Sequence, residues 1–344
     1  MIAEDMNRRG FLKAGVGLAV VVSSIEMIAG CATTKTPQVT PLVYSPLPYH
    51  KIQPPQEGCL VGFFKEPDAS IDGITYLEKA LGRKPSIMII GGSKLYSKFP
   101  MTQAIMMTKK GIVPYVHVDI APFNSKAPIS GFSVKEIAQG QQDAHIKGLA
   151  RDALEFGEEY GGFFFSTMVD MNGGWFSWGK NTNFISAWQR IWQIFDEQGA
   201  NHYATWAWVP HCTEGLPSNW GDDPDSYYPG DKYVDWIGLN AFSVAGSSKA
   251  NYMLNVLMRE TYRRLFKYHP QKPFMIPWFA RTNNFDQPRW LVSAYRSIKD
   301  SFPAIKAAMY SDRISSHTGD IRLNPKSLET LKEIFKDPYW IMGE

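Results

Sequence analysis

At 344 residues, with 44% apolar and 20% charged side chains, the chain is long enough for one large buried core and too apolar for a disordered one. Its 36 basic and 33 acidic residues leave a formal charge of +3, and no basic run interleaves with aromatics in the body of the chain, which argues against nucleic acid as a partner. Aromatics at 14%, with 11 tryptophans, supply both core filling and possible surfaces for stacking on sugars.

In chain order, Asn7-Arg8-Arg9-Gly10-Phe11-Leu12-Lys13 is a twin-arginine stretch, followed by an apolar run over 14–29 and then Gly30-Cys31. Arginines, a short apolar segment and small residues before a cleavage point predict an export signal over 1–31. Ile28-Ala29-Gly30-Cys31 resembles a bacterial lipobox, so Cys31 is the expected lipidated residue. A plain membrane anchor is the alternative, but the apolar run is short for a spanning helix. The expected address is the cell envelope, after export across the inner membrane. Residues 32–56, rich in Thr, Pro and Ser at their start and without apolar periodicity, predict a flexible tether. The remainder, 57–344, is expected to be one domain.

Eight apolar runs of strand length follow, at 60–64, 86–90, 112–118, 162–168, 203–209, 234–242, 273–279 and 305–310. Amphipathic stretches lie among them at 71–81, 141–160, 184–198, 252–268, 289–302 and 327–336. Alternating strand and helix signals imply a parallel sheet, and continuous apolar strands imply burial on both faces. Eight such units predict an α/β fold, a single (β/α)₈ barrel. The first strand lacks a following GxGxxG turn, which removes the main reason to prefer a dinucleotide fold.

Such a barrel carries its chemistry at the C-terminal strand ends. The residues there include Lys65, Glu66 and Asp68, then Asp119, Asp170 and Asn172, then Trp208 and His211, then Asn240, Phe242 and Ser243, and finally Trp278, Arg281 and Asp312. This polar, aromatic and partly acidic rim suits a neutral polyhydroxylated ligand. His117, Asp119 and His211 fit no compact metal motif, so neither metal nor cofactor is expected. Cys59 opens one strand and Cys212 follows the end of another, placing them on opposite rims. Two free thiols are expected, because a disulfide needs Cα atoms within about 7 Å.

Several segments resemble glycoside hydrolase family 26, the β-mannanase family. They are Gly62-Phe63-Phe64-Lys65-Glu66-Pro67-Asp68-Ala69-Ser70, the stretch from Tyr76 to Ser86, Ala187-Trp188-Gln189-Arg190 with Gly199-Ala200-Asn201, and the run from Tyr227 to Leu239. The resemblance implies a retaining barrel glycosidase acting on polysaccharide, with a glutamate as acid/base and another as nucleophile. Its His-Glu-Met-Asn-Gly motif corresponds here to Val169-Asp170-Met171-Asn172-Gly173, and its nucleophile position to Trp278. The family's upstream arginine is matched by Ser166, and its supporting tyrosine and adjacent asparagine by Phe242 and Ser243. A Trp-Glu-Pro pattern appears as Val118-Asp119-Ile120.

An indole can neither attack a sugar nor donate the required proton, so the covalent step is expected to be lost. Asp170 remains the one candidate catalytic residue. Asn172, Trp175, Trp178, Trp208, Asp119 and Trp278 are the candidate sugar-binding residues, although Trp178 and Trp208 also read as core. The expectation is a lipid-anchored barrel that binds polysaccharide or oligosaccharide with lost or strongly reduced hydrolysis. The alternative is an active endo-β-glycanase with Asp170 as acid and a relocated second carboxylate, Asp119 or Asp312. A third possibility is a protein-binding scaffold.

Overall fold

The computed structural model describes residues 42, 44–45, 47–48, 50–65, 71–91, 98–119, 132–242, 252–281, 286–315 and 319–343. Residues 1–31, where an export signal and a lipidated Cys31 are expected, and rim residues 66–70, 120 and 243 lie outside them.

The chain runs β1 (Cys59–Lys65), α1 (Ile71–Leu81), β2 (Ile87–Ile90), α2 (Met101–Lys109), β3 (Val113–His117), α3 (Val134–Ala138), α4 (Asp143–Tyr160), β4 (Phe163–Ser166), α5 (Phe184–Glu197), β5 (Ala204–Trp208), β6 (Trp236–Gly238), α6 (Leu254–Tyr268), β7 (Phe274–Phe279), α7 (Gln287–Ser301), β8 (Ile305–Asp312), β9 (Ile314–Ser315), β10 (Gly319–Asp320), α8 (Pro325–Ile334) and β11 (Trp340–Ile341). Strands β1 to β8 pair in parallel in sequence order, and β8 returns to β1 from Leu60↔Ala307 to Lys65↔Asp312. The sheet is therefore closed: a single (β/α)₈ barrel, as expected.

Its residues explain why. Every residue of β2, β4, β5, β7 and β8 is buried, as strands walled by helices outside and side chains inside must be. The surrounding helices bury one stripe each. In α5 that stripe is Phe184, Ala187, Trp188, Ile191, Trp192, Ile194 and Phe195, the three-and-four spacing of an amphipathic helix. Local chemistry sets helix starts: Asp286 accepts the Arg289 amide ahead of α7, and Asn324 the Ser327 amide at 2.8 Å ahead of α8.

Three differences from expectation have physical causes. The sixth strand is short, only Trp236–Gly238, because the chain beyond it leaves the regular ladder. It continues as isolated bridges, His211↔Asn240 and Ala241↔Phe279. Helices α2 and α3 carry little apolar patterning of their own. The tether expectation fails for residues 50–56. Lys51 Nζ stands 2.6 Å from Asp235, the Ile52 amide donates to Thr205 Oγ1 at 2.8 Å, and Trp236 Nε1 donates to the Ile52 carbonyl at 3.1 Å. The segment is bound to the strand entrances by single contacts, which have no periodic signature. Among the described residues no helix is long and apolar enough to cross a membrane. Cys59 and Cys212 are free and buried, and burial pushes both thiols up; a thiolate, the reactive form, is suppressed at each.

Candidate functional site

The loop after β4 builds the site. Met168 (φ 49°) and Asp170 (φ 57°) both occupy the left-handed region, a rare state for residues with side chains and one that clusters at functional positions. The turn is imposed from outside: the Asp170 amide donates to the Val209 carbonyl beyond β5 at 2.8 Å, and the Gly173 amide to the Asp170 carbonyl at 2.9 Å. Asp170 is thereby presented at the C-terminal mouth while only 7% exposed.

Its carboxyl accepts from Asn240 Nδ2 at 2.8 Å, and the Trp175 indole reaches it as well. Burial pushes the Asp170 pKa up, opposed by nearby His211, by the Asn240 and Trp175 hydrogen bonds, and by His117. Desolvation wins because a buried carboxylate loses more hydration than these partners return. A group whose folded pKa is raised destabilises the fold increasingly as pH climbs from about 4 through that value. Asp170→Asn should therefore melt higher than the parent at pH 7, with the gap closing at pH 4 and below. Thermal unfolding of both proteins at the two pH values checks this.

Two histidines flank the acid. His211 Nδ1 lies 2.7 Å from the Cys212 carbonyl, which can only accept, so Nδ1 carries a proton. His117 Nε2 stands 2.7 Å from Asp119 Oδ1, while its Nδ1 lies 3.0 Å from Ser166 Oγ. The carboxylate, which can only accept when ionised, places a proton on Nε2, and the serine hydroxyl can donate to or accept from Nδ1.

Trp278 lies at the end of β7, 7% exposed. Its ring centroid is 5.2 Å from His117, 5.6 Å from Tyr115 and 6.3 Å from Phe64, all edge to face. It plugs the barrel mouth as an aromatic keystone, with little face left for a ligand. Trp175 is half-buried, perpendicular to His211 at 5.3 Å. Its ring lies so close over Gly173 that a Cβ there would come within 2.2 Å of it, so a larger residue would have to displace the indole.

Asp170, Trp175, Asp119 and Trp278 are thus gathered around His117, His211 and Asn240. Three other candidates are placed elsewhere. Asn172 is fully buried, and its side chain is spent on backbone: Nδ2 donates to the carbonyls of His211 (2.9 Å) and Asp222 (3.1 Å), and Oδ1 accepts from the His211 amide (2.9 Å). It clamps two loops together and has no group left for sugar. Trp178 is a core residue, stacked on Phe176 at 4.5 Å with its indole on the Val169 carbonyl at 2.7 Å. Trp208 is likewise enclosed, donating to the Tyr227 carbonyl at 3.1 Å. These three corrections share a cause: full burial satisfied each polar atom inside the protein.

The alternative carboxylate Asp312 takes the Lys65 ammonium at 2.7 Å and the Leu323 amide at 2.8 Å. Asn240 and His211 contribute more to the acid's environment than the sequence suggested. Their one signal was polarity directly after an apolar strand. No group of three His, Cys, Asp or Glu side chains able to hold a metal occurs among the described residues.

Residues 132–272, spanning β4 to β6 and both loops of the site, match the family model described as Glycosyl hydrolase family 26. Over those residues the chain is similar to glycosyl hydrolase family 26. Endoglucanase H of Acetivibrio thermocellus is 26% identical over 218 residues, covering 59% of this chain and 23% of that protein. Mannan endo-1,4-beta-mannosidase A and B of Caldalkalibacillus mannanilyticus is 24% identical over 168 residues, 44% of this chain and 28% of the relative. The chain thus spans about a quarter of each of these curated relatives. Among solved structures, the catalytic domain of the Bacillus sp. JAMB-750 GH26 endo-beta-1,4-mannanase superposes with a TM-score of 0.64 at 16% identity, covering 83% of this chain and 87% of that one. At that identity the likeness shows the shared (β/α)₈ fold.

Proposed function

We propose that this protein is a polysaccharide-binding member of family 26 that has lost retaining hydrolysis and is held at the cell envelope by a lipid on Cys31. One observation carries the first part. Where β7 ends, the reaction needs an attacking carboxylate about 5–5.5 Å from the acid, and the chain has Trp278 wedged against Phe64, Tyr115 and His117. Among the described residues, the alternative carboxylates Asp312 and Asp119 serve a cation and an imidazole instead, Asp312 with Lys65 and Asp119 with His117. Without the covalent step the rate enhancement that depends on it disappears. What persists is a mouth lined with indole, imidazole and amide groups, the donors, acceptors and flat apolar faces that hold a sugar. The names of the relatives, an endoglucanase and a mannosidase, support β-1,4-linked glucan or mannan as the ligand class. The anchor rests on the twin-arginine stretch and the Ile28-Ala29-Gly30-Cys31 sequence.

A second reading has a specific observation in its favour. A general acid must be protonated near neutral pH, and burial pushes Asp170 in that direction. An inverting reaction would then need a base about 6.5–9.5 Å away.

One experiment separates the readings. The full chain should fractionate with membranes, bind β-mannan or β-glucan, and release no reducing ends from either; Asp170→Asn should leave that silence unchanged. Release by the parent that vanishes in Asp170→Asn would establish the hydrolase instead. Recovery in the soluble fraction would remove the anchor.

A further inference from the structure

Of the 11 tryptophans, nine are buried and Trp175 is half-buried; Trp220 alone is exposed, at 41%. Among the described residues its ring meets no other ring, and its Nε1–H has no acceptor. One exposed aromatic is unremarkable in itself. The backbone that carries it is more telling.

The Trp220 amide donates to the Pro217 carbonyl at 3.2 Å, closing a tight turn. Asn219 within it takes φ 83°, and Lys180, itself at φ 51°, donates from Nζ to the Asn219 carbonyl at 3.0 Å while pairing with Asp222 at 2.9 Å. On the other side the Trp220 carbonyl accepts from the Gly174 amide at 3.3 Å, Gly173 bridges Gly221, and the Asp222 amide donates to the Asn172 carbonyl at 2.8 Å. Trp220 is therefore pinned in two left-handed, cross-linked segments to the same turn that carries Asp170 and Trp175. Left-handed conformations in residues other than glycine concentrate at ligand clamps, and here they hold an indole outside the core.

We propose that Trp220 is a stacking platform for a pyranose ring of a bound β-1,4-glycan, on the β5 side of the Asp170 centre. The proposal rests on the glycan-binding function above and extends its binding surface beyond the mouth. The apolar face of the sugar covers the indole, and Nε1–H is available to a ring hydroxyl. A neutral ring is favoured, because the neighbouring cation, Lys180, is already paired with Asp222.

The test is calorimetric titration of the full chain with β-1,4-mannohexaose and cellohexaose, using Trp220→Ala, Trp220→Phe and Trp175→Ala. Covering about half of an indole predicts a roughly tenfold to hundredfold loss of affinity in Trp220→Ala, substantial recovery in Trp220→Phe, and an unchanged melting temperature in both. Parent-like affinity in Trp220→Ala, with Trp175→Ala impaired, would overturn the platform and leave glycan binding intact. A marked drop in melting temperature would assign Trp220 a structural role instead. Failure of the parent to bind either hexaose would overturn the platform together with the function on which it rests.

Discussion

Replacing Trp278 with alanine should cost the fold about 3–5 kcal/mol, the usual range for deleting a large buried aromatic and leaving its cavity. The residue is buried at the barrel mouth and touches three aromatic rings from β1 and β3, those of Phe64, Tyr115 and His117. Edge-to-face pairs of this kind add about 0.5–1.5 kcal/mol each beyond area burial. The neighbours are strand residues, so they cannot collapse into the space without breaking ladder hydrogen bonds. For a domain of this size the loss should appear as a fall in melting temperature on the order of 10 °C, with Trp278→Phe falling much less. If Trp278 instead served mainly as a ligand platform, alanine would weaken glycan binding and leave the melting temperature nearly unchanged.

Asn172→Ala should be destabilising on a similar scale, about 3 kcal/mol, for a different reason. The side chain makes three hydrogen bonds to backbone groups on the loop after β5. Alanine would leave the His211 amide and the His211 and Asp222 carbonyls without that partner, and a buried unsatisfied group costs about 1–3 kcal/mol. Water entering the gap would return part of this. Asn172→Asp should be no better, since a carboxylate cannot donate to two carbonyls. The two loops also carry Asp170, Trp175 and Trp220, so glycan affinity should fall along with the melting temperature. A residue that bound sugar directly would lose affinity with no thermal penalty, and chemical denaturation beside glycan titration distinguishes the two.

The barrel was legible because its determinants are local and repeated. Runs such as Ile87–Ile90 and Phe274–Phe279 are apolar at every position but one proline, and the stripe on α5 has a period of its own. The indole at the end of the seventh strand was legible too, since it depends on what one residue is, and an indole has no carboxylate in any conformation. The site residues divided differently. Asp170 and Trp175 were singled out from their neighbours in sequence, and the structure places them side by side. Asn172 was grouped with them for the same reason, but its side chain is spent on backbone, while Trp178, which also read as core, is core; adjacency along a turn does not decide which side chains face the mouth.

The partners that decide those roles are remote in sequence. Asn172 meets His211 and Asp222 across 39 and 50 residues, and Asp170 meets Asn240 across 70. The docking of Lys51 onto Asp235 spans 184. Sequence by itself determined the strand count, the barrel class, the family resemblance and the indole at the seventh strand's end, because each is written in residue type and short-range period. Only the tertiary structure decided which polar groups were left for a ligand. Burial and long-range hydrogen bonds consume donors and acceptors one by one, and that accounting exists only once the loops have been brought together.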